Sequence, residues 1–374
     1  MEKSKKQLRI IISGGGTGGH IFPAISIANA LKARMPQCEI LFVGAETRME
    51  MERVPAAGYK IVGLPVQGFD RSHMLKNFRV AFDLLKSLCK AKRILKSFAP
   101  DIAIGVGGYA SGPMLWMAAR SGVPIVIQEQ NSYAGVTNKL LAKQASKICV
   151  AYEGMERFFP AERIVLTGNP VRATLEAIGD QREEALQFFG LTPEKKTILI
   201  LGGSLGARSI NRGIQKNLDK LLAAEDVQVI WQTGRIYHEE MQAALQDKGE
   251  TSSIWCSDFI TRMDYAYAAA DLVVSRAGAG TISELCLVEK AVILVPSPNV
   301  AEDHQTQNAL ALSKRGAALM VKDKDVDESL VDTALSVLKD DKQLETLKQQ
   351  ISLLAKKGSA ETIVDEILSV LQTR

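Results

Sequence analysis

The sequence predicts an α/β fold made of two doubly wound, Rossmann-like domains that face a cleft. Short runs rich in Ile and Val alternate with longer helical patterns, which is typical of buried parallel strands joined by helices. The alternation occurs in two series, the first starting at residues 8–13 and the second at residues 196–203. A chain of 374 residues is also long enough for two hydrophobic cores.

Apolar runs define the predicted strands of each series. They are residues 8–13, 39–44, 101–106, 123–128, 147–152 and 163–168, then 196–203, 227–232, 271–276 and 291–296. Asn169-Pro170 interrupts regular structure between the series, so we divide the chain into residues 1–168 and 169–374. Beyond Asp325 the pattern is helical, which leaves open whether the last helix packs back on the first domain. Ligands of open α/β sheets bind at the carboxyl ends of strands, so we expect the functional site in the cleft.

Composition and charge exclude several classes of protein. The 46 Lys and Arg residues against 42 Asp and Glu residues give a net charge of +4, too small an excess to indicate nucleic-acid binding. The five cysteines lack a Cys-x-x-Cys pair and the four histidines lack metal-ligand spacing, so we expect a reducing compartment and no metal. Arg9 interrupts the first apolar stretch, and no run reaches the roughly 18 apolar residues of a membrane span. We therefore expect a cytoplasmic protein.

Three predicted strands end in glycine-rich loops that precede helices, at residues 14–20, 105–112 and 202–208. Glycine exposes backbone N–H groups, and a helix N-terminus carries about half a positive charge, so each loop can hold a phosphate. Any single loop could equally be a tight turn that needs glycine sterically. The first loop matches G-x-G-x-x-G, but no acid ends the second strand, which disfavours a dinucleotide dehydrogenase. No Walker lysine is present, which disfavours P-loop phosphoryl transfer.

Two polar side chains near these strand ends are candidates for chemistry. His20 follows the first glycine loop in the first turn of a helix, where it can act as a general base or simply bond to its neighbours. In the second domain, residues 275–284 (SRAGAGTISE) run from a strand into a helix whose first N–H groups can bind an anion. Glu284 can accept two hydrogen bonds from a ribose diol, although Thr281 and Glu284 could instead cap the helix.

The segment from His73 to Phe98 combines positive charge with large apolar residues. Its basic residues are Lys76, Arg79, Lys86, Lys90, Lys92, Arg93 and Lys96, against the single acid Asp83. Its large apolar residues include Leu75, Phe78, Phe82, Leu85 and Leu88. This composition suits a helix on an anionic membrane, and equally a buried stripe with a solvated basic face.

A D-x-D string, Asp323-Lys324-Asp325, matches an element that metal-dependent transferases use. It lies in a charged connection just before a predicted helix, where a helix cap is the expected role. We therefore expect activity without a metal at this position.

The motifs together resemble those of one bacterial family. They are GGGTGGH (14–20), GGYASGP (107–113), EQNSYAGVTNK (129–139), GNPVR (168–172), GGSLGAR (202–208), RAGAGTISE (276–284) and DHQTQNA (303–309). The ordered set covers essentially the whole chain and resembles the N-acetylglucosaminyltransferases that convert lipid I to lipid II in peptidoglycan synthesis. The resemblance implies a two-domain GT-B fold, UDP-N-acetylglucosamine as donor, lipid I as acceptor and inversion at the anomeric carbon.

The resemblance also implies roles for individual residues. His20 would be the catalytic base that takes the proton of the acceptor's C4 hydroxyl. The implied donor-binding residues are Thr17, Gly18, Gly19, Asn131, Arg172, Ser204, Ile260, Ala279, Gly280, Thr281, Ile282, Ser283, Glu284 and Gln305, with Ile260 at the uracil and Glu284 at the ribose. The implied acceptor-binding residues are Gly107, Gly108, Tyr109 and Glu129. Gln128 departs from the histidine that many members carry, which puts an acceptor role for that position in doubt.

The implied chemistry accounts for what the sequence lacks. A nucleoside diphosphate leaves as an anion and needs no acid, so one base and good anion binding suffice, and we expect neither cofactor nor metal. A lipid-linked acceptor favours the membrane interpretation of residues 73–98, with the protein bound peripherally at the cytoplasmic face of the cell membrane. The expected partners are UDP-N-acetylglucosamine, lipid I and an anionic membrane surface, with cell-wall synthesis proteins as further candidates and no nucleic acid.

Two alternatives remain open at this point. A non-hydrolysing UDP-N-acetylglucosamine 2-epimerase shares the fold and the nucleotide but needs no lipid acceptor. A membrane-associated subunit could bind a nucleotide sugar without turning it over. The basic apolar segment and the second glycine loop favour the transferase over the epimerase, and His20 argues against a pure binding subunit.

Overall fold

The computed structural model describes residues 7–66, 77–171, 175, 181–203, 205–249, 251–300 and 303–373, with side chains in the helix that starts at residue 77 described from residue 82 onward. The chain forms two compact units. Unit 1 comprises residues 1–171 and 358–374, and unit 2 comprises residues 172–357. Unit 1 therefore extends slightly beyond the division that the sequence suggested after residue 168, and it includes the last helix.

Parallel strands form the sheet of unit 1. In chain order they are β1 (Arg9–Ser13), β2 (Glu39–Ala45), β3 (Lys60–Leu64), β4 (Ile102–Gly105), β5 (Ile125–Glu129), β6 (Lys147–Val150) and β7 (Ile164–Leu166). Their order across the sheet is β3-β2-β1-β4-β5-β6-β7. The winding direction reverses between β1 and β4, which pair from Ile10 with Ile102 to Ser13 with Gly105. The loops after these two strands therefore leave the same edge of the sheet side by side, where open α/β sheets bind ligands.

Helices cover both faces of this sheet. They are α1 (Gly18–Arg34), α2 (Glu50–Ala56), α3 (Asn77–Phe98), α4 (Ser111–Arg120), α5 (Val136–Leu141) and, from the C-terminal segment, α15 (Ser359–Gln372). The apolar stripe of α15, with Ile363 and Ile367 fully buried, shares a core with Ile27 and Leu31 of α1. This packing explains why the last helix belongs to unit 1, a question that the sequence left open.

Unit 2 repeats the same architecture. Its strands are β8 (Lys196–Leu201), β9 (Val227–Gln232), β10 (Ile254–Ser257), β11 (Leu272–Ser275), β12 (Ala291–Leu294) and β13 (Leu319–Met320), in the order β10-β9-β8-β11-β12-β13. Its helices are α6 (Arg182–Phe189), α7 (Arg208–Lys216), α8 (Leu218–Leu222), α9 (His238–Gln246), α10 (Met263–Ala269), α11 (Ala279–Leu287), α12 (His304–Ser313), α13 (Val326–Lys339) and α14 (Asp341–Ser352). The switch between β8 and β11 again places two strand ends side by side.

The predicted fold class is confirmed, since both units are doubly wound parallel sheets. Among the described strands, β3, β10 and β13 have no counterpart in the predicted apolar runs. All of these lie at an edge of their sheet. An edge strand has a neighbour on one side only and is buried less, so it does not need the continuous apolar run that marks a central strand.

Candidate functional site

The glycine loops after β1 and β4 touch each other through their backbones. A Cβ atom built on Gly108 would lie 2.3 Å from the carbonyl oxygen of Gly15, and one built on Gly14 would lie 2.9 Å from that of Gly107. Gly107 and Gly108 also have positive φ angles, of 90° and 86°. Both loops therefore need glycine for space and for backbone conformation, and their close approach concentrates backbone N–H groups at one edge of the sheet.

Replacement of Gly108 by alanine is expected to displace the two loops and lower the melting temperature more than the same change at Gly58. Both residues have nearly equal φ, 86° and 85°, so both variants carry the strain of a left-handed alanine, about 1–2 kcal/mol. A Cβ on Gly58 meets nothing within 4 Å, whereas one on Gly108 collides with the Gly15 backbone. The melting temperatures of both variants are measured by thermal unfolding. The difference between them isolates the effect of the steric collision, because the backbone strain is common to both. Equal losses in melting temperature would contradict the tight contact between the loops.

His20 lies over the second glycine loop, and the first loop orients its ring. Its Nδ1 atom is 3.1 Å from the carbonyl oxygen of Gly15 and 3.4 Å from the hydroxyl oxygen of Thr17. A carbonyl oxygen only accepts, so the shorter contact requires the proton on Nδ1. In the neutral ring, the proton-accepting electron pair then belongs to Nε2. A Cβ atom built on Gly107 would lie 2.9 Å from Nε2, so this atom faces the second loop.

The other predicted donor residues at this strand end form the start of α1. Thr17 is the N-cap residue, with an extended backbone and an exposed side chain that makes no capping hydrogen bond. Gly18 and Gly19 form the first turn, and Gly19 is exposed. The N–H groups of a first turn have no acceptor inside the helix. The geometry suits an anion at this position, and the specific donor contacts stay predictions.

A buried carboxylate that the sequence analysis missed holds the first glycine loop. Glu50, the first residue of α2, is only 1% exposed. Its Oε2 atom accepts a 2.9 Å hydrogen bond from the N–H of Gly16, and its Oε1 atom accepts one of the same length from the N–H of Ala45. The surrounding sequence indicates the exposed, charged start of a helix. Glu52, which lies in the same first turn, is indeed exposed. Burial alone distinguishes the two glutamates.

Glu129 shapes the loop that follows β5. Its Oε1 atom accepts hydrogen bonds from the backbone and side-chain nitrogens of Asn131, at 3.0 and 3.3 Å. Its Oε2 atom accepts from the N–H of Gly135 at 3.0 Å and from Nδ2 of Asn138 at 2.8 Å. The carboxylate is buried, so the structure gives Glu129 a supporting role, and its contact with the acceptor stays a prediction. Tyr109, by contrast, has an exposed side chain that can reach a ligand.

Gln128, the residue that departs from the histidine of many family members, belongs to a buried network of side-chain amides. Gln128 donates from Nε2 to Oδ1 of Asn169 at 2.9 Å and accepts from the side-chain amide of Gln130. Gln130 also donates to the carbonyl of Val106 at 2.8 Å. Its Oε1 atom is buried without a hydrogen-bond partner among the described residues, and it lies 3.8 Å from the Cβ position of Gly107. A hydrogen-bond acceptor, the Oε1 atom of Gln130, therefore lies near the part of the second loop that Nε2 of His20 faces.

The third glycine loop, in unit 2, is clamped against the end of β9. Gly206 has a φ of 86°, and a Cβ atom there would lie 2.3 Å from the carbonyl oxygen of Thr233. The N–H of Gly206 donates to the carbonyl of Gly203 at 3.0 Å, and Asn211 donates from Nδ2 to the carbonyl of Thr233 at 2.7 Å. These contacts fix the backbone at the start of α7. Ser204 lies in this loop but outside the described residues.

The predicted anion and ribose site of unit 2 lies at the start of α11. Gly278 is its N-cap residue with an extended backbone, so Ala279 to Thr281 present first-turn N–H groups. The carboxylate of Glu284 accepts a 3.0 Å hydrogen bond on Oε2 from the hydroxyl of Tyr267 in α10. Tyr267 is buried, so it holds the carboxylate in one orientation. The alternative in which Thr281 and Glu284 form the cap is disfavoured, because the N-cap residue is a glycine.

Most of the remaining predicted donor residues of unit 2 either have buried side chains or use their side chains in hydrogen bonds within the unit. Ile260 and Ile282 have buried side chains, so a ligand could reach only their backbones. Ser283 donates from Oγ to the carbonyl of Ala279 at 3.0 Å, inside the helix. Gln305 accepts on Oε1 from the N–H of Ser297 at 2.9 Å, which ties α12 to the loop after β12. Arg172 lies outside the described residues.

Asp323, the first residue of the D-x-D string, forms an ion pair. Asp323 bonds to the guanidinium of Arg276 and to the hydroxyl of Ser209, and Arg276 also donates to Ser209 at 2.8 Å. Asp325 is the N-cap residue of α13, although its side chain makes no capping hydrogen bond. The part of the chain that the structure describes contains no group of three or more His, Cys, Asp or Glu side chains that could hold a metal ion. Asp323 therefore links three segments of unit 2.

Three of the cysteine thiols have pKa values that burial raises. The pKa is raised to about 12 in Cys149, Cys256 and Cys286. The thiolate is the nucleophilic form, and at neutral pH these side chains remain thiols. A covalent mechanism through any of these three cysteines is therefore disfavoured.

Helix α3 exposes large apolar side chains beside cations. The side chains of Phe82 and Leu85 are 58% and 62% exposed, and Nζ of Lys86 lies 4.3 Å from the ring centroid of Phe82. The opposite face, with Ile94 and Leu95, is buried in the core of unit 1. The segment is therefore more than a buried stripe with a solvated basic face, because apolar and basic residues share its exposed face.

Further exposed cations extend this face. They are Lys92, Arg93 and Lys96, whereas Lys90 pairs with Glu46 at 2.8 Å. Leu75 and Lys76 lie outside the described residues, as do the side chains of Phe78 and Arg79. Helix α4, which packs against α3, exposes part of Trp116, with the guanidinium of Arg120 at 4.8 Å from its ring. In the described part of the chain, no helix has the length and apolar content required to span a bilayer.

The amino-acid sequence matches both domains of one enzyme family. Residues 10–150 match the N-terminal domain of glycosyltransferase family 28, and residues 197–363 match its C-terminal domain. A relative from Parabacteroides distasonis is 66% identical over 99% of this chain and 100% of its own length. That relative is called UDP-N-acetylglucosamine--N-acetylmuramyl-(pentapeptide) pyrophosphoryl-undecaprenol N-acetylglucosamine transferase.

Solved structures share the fold over nearly the whole chain. MurG of Acinetobacter baumannii has a TM-score of 0.80 at 28% identity, with 97% of this chain and 99% of that chain covered. A UDP-GlcNAc 2-epimerase from Neisseria meningitidis, bound to UDP-GlcNAc, has a TM-score of 0.66 at 12% identity, with 97% and 100% covered. At such low identity the second likeness concerns the fold alone.

Proposed function

The chain belongs to glycosyltransferase family 28, and from its membership among the N-acetylglucosamine transferases of that family we infer that it transfers N-acetylglucosamine from UDP-N-acetylglucosamine to lipid I. Lipid I is undecaprenyl-pyrophosphoryl-N-acetylmuramoyl-pentapeptide, and the product, lipid II, serves peptidoglycan synthesis. The identity of 66% along the whole chain with a transferase of that name carries this conclusion. The fold would not suffice, because a 2-epimerase shares it.

We propose that His20 is the general base of an inverting displacement. The C4 oxygen of the acceptor attacks C1 of the sugar while its proton passes to Nε2 of His20. The bond between C1 and the UDP oxygen breaks, and UDP leaves with the electron pair. The contact between Nδ1 and the Gly15 carbonyl supports this role, because it keeps the accepting electron pair on Nε2.

We assign the nucleotide of the donor to unit 2 and the acceptor's diphosphate to unit 1, with further donor contacts predicted at Thr17, Gly18, Gly19 and Asn131 of unit 1. The first N–H groups of α11, from Ala279 onward, are suited to the diphosphate of UDP, and they stabilise the charge that develops as UDP leaves. Glu284, oriented by Tyr267, would accept from the two ribose hydroxyls. The paired glycine loops with Tyr109 would hold the lipid's diphosphate through backbone N–H groups.

We propose that the reaction needs no metal and no cofactor. The first acidic residue of the D-x-D string, Asp323, is paired with the guanidinium of Arg276. A helix N-terminus can supply the positive charge that a metal provides in other transferases.

A turnover assay tests this function. The protein is incubated with labelled UDP-N-acetylglucosamine and a lipid I analogue, in the presence and absence of EDTA. We expect label in the lipid fraction under both conditions. A nucleotide sugar inverted at C2, without lipid labelling, would identify a 2-epimerase instead. Loss of transfer in EDTA with recovery on addition of Mg²⁺ or Mn²⁺ would overturn the metal-free mechanism.

We further propose that the exposed face of α3 binds the anionic cytoplasmic face of the cell membrane, where a lipid-linked acceptor resides. Large apolar side chains next to cations suit the boundary between headgroups and acyl chains. Phe82 and Leu85 would insert while Lys86, Lys92 and Arg93 contact anionic headgroups. The protein would then be peripheral, with its acceptor loops in the same unit as its membrane face.

The double variant Phe82→Ser/Leu85→Ser is expected to bind phosphatidylglycerol vesicles at least about tenfold more weakly, since burial of one large apolar side chain contributes about 1.5–3 kcal/mol. Vesicle sedimentation at low salt measures the binding. Leu353→Ser is the control, because it removes an exposed leucine from unit 2, away from α3. Equal binding by the double variant and the control would contradict the proposed surface, as would equal binding of wild type to purely neutral vesicles.

A further inference from the structure

One peptide group connects the buried carboxylate of Glu50 to the ring of His20. The carbonyl oxygen of Gly15, which accepts from Nδ1 of His20 at 3.1 Å, and the N–H of Gly16, which donates to Oε2 of Glu50 at 2.9 Å, belong to the same peptide bond. In a trans peptide the N–H and C=O point in opposite directions. Glu50 and His20 therefore bond to opposite edges of one rigid plane.

We propose that Glu50 is a positioning residue for His20, acting through the Gly15–Gly16 peptide group. This inference rests on the proposed role of His20 as the base. A hydrogen bond to the N–H of an amide increases the electron density on its carbonyl oxygen, and chains of hydrogen bonds strengthen one another. The polarised Gly15 carbonyl is then a better acceptor for the proton on Nδ1. Glu50 would thereby favour the tautomer that leaves Nε2 as the base.

The second carboxylate oxygen of Glu50 bonds to the end of a strand of the sheet. Oε1 accepts from the N–H of Ala45, the last residue of β2, at 2.9 Å. The carboxylate therefore joins a rigid strand end to a loop whose glycines have little intrinsic conformational preference. Close packing supports this: a Cβ atom built on Gly15 would lie 2.1 Å from Oε1 of Glu50, and one on Gly44 would lie 2.6 Å from its Cγ. Gly15 and Gly44 therefore leave the space that the Glu50 side chain occupies.

A competing contact shows why the tautomer needs support. The hydroxyl of Thr17 lies 3.4 Å from Nδ1 of His20 and could donate to it if Nδ1 were unprotonated. That arrangement would place two acceptors, Nδ1 and the Gly15 carbonyl, against each other at 3.1 Å and move the proton to Nε2. The ring would then lose its basic nitrogen on the side of the second glycine loop. The strength of the Gly15 acceptor decides between the two tautomers.

The wild-type protein provides the first test. Nitrogen-15 NMR of histidine-labelled protein, at alkaline pH where imidazole is neutral, distinguishes protonated from unprotonated ring nitrogens. The spectrum of His20→Ala assigns the signals. We expect Nδ1 of His20 to carry the proton. A neutral His20 with its proton on Nε2 would overturn the proposal without any change to Glu50.

The variant Glu50→Gln provides the second test. An ionised carboxylate accepts at both oxygens, whereas a glutamine amide accepts at one and donates at the other, so one of the two N–H contacts is lost. We expect kcat to fall by about 10- to 100-fold, the usual effect of removing an outer-shell partner, with the KM for UDP-N-acetylglucosamine nearly unchanged. The Nε2-protonated tautomer of His20 should increase in the same sample. Glu50→Asp, which keeps the charge on a shorter stem, should recover part of kcat.

Glu46→Gln is the matched control, because it removes the same charge from an exposed carboxylate that pairs with Lys90. It should change neither kcat nor the tautomer. If Glu50→Gln folds and keeps the wild-type kcat and tautomer while His20→Ala is inactive, the positioning role of Glu50 is refuted. Full turnover by His20→Ala would instead refute the proposed base. Should Glu50→Gln fail to fold, the wild-type tautomer and the kcat of Glu50→Asp decide.

Discussion

Replacement of His20 by alanine is expected to lower kcat by about 10²- to 10⁴-fold, the range that general base catalysis contributes. The variant retains both glycine loops but has no group at the position of Nε2, so the C4 hydroxyl of lipid I must lose its proton to water. The KM for UDP-N-acetylglucosamine should change little, because we assign the nucleotide to Glu284 and the start of α11 in unit 2. Steady-state transfer to a lipid I analogue measures both constants.

His238→Ala is a suitable control for this experiment. His238 is also a first-turn histidine, at the start of α9, and its Nδ1 lies 3.1 Å from the hydroxyl oxygen of Thr233. Its replacement should leave kcat near the wild-type value. The acid limb of the pH–rate profile should also disappear in His20→Ala, since a base that must be unprotonated is gone. A wild-type kcat in His20→Ala would remove this residue from the mechanism.

Replacement of Glu284 by alanine is expected to raise the KM for UDP-N-acetylglucosamine by about 10- to 100-fold, with a much smaller change in kcat. Hydrogen bonds to a charged group contribute about 1.5–3 kcal/mol, and those to the ribose are present in the ground state as well as in the transition state. The affinity for UDP alone should fall by a similar factor, because UDP carries the same ribose. Isothermal titration with UDP checks this without the acceptor.

Tyr267→Phe separates the orientation of Glu284 from its charge. It removes only the hydroxyl that donates to Oε2 at 3.0 Å. The carboxylate keeps its charge and loses one orienting contact, so UDP affinity should fall by only about fivefold, which corresponds to about 1 kcal/mol. A Glu284→Ala variant that binds UDP as tightly as wild type would show that the ribose lies elsewhere. A Tyr267→Phe variant with a larger loss than Glu284→Ala would also contradict the assignment.

Much of the candidate site follows from local sequence patterns. The central strands appear as continuous apolar runs because they are buried on both faces, and the glycine loops appear because backbone contact and positive φ exclude other residues. The positions of His20 and Glu284 after such loops are what predicts their roles from the sequence. Edge strands such as β3 were missed because partial burial leaves no comparable pattern.

The sequence by itself determined which residues can do chemistry and in what order they follow the strands, since propensity and periodicity are properties of neighbouring residues. Only the tertiary structure decided which of these groups are buried and what they bond to. Glu50 and Glu52 look alike in sequence, yet one is enclosed beside Gly16 and the other faces solvent. Asp323 reads as a metal ligand or a cap until Arg276, far away in the chain, is seen beside it. Such partners meet through long-range packing, which no local pattern records.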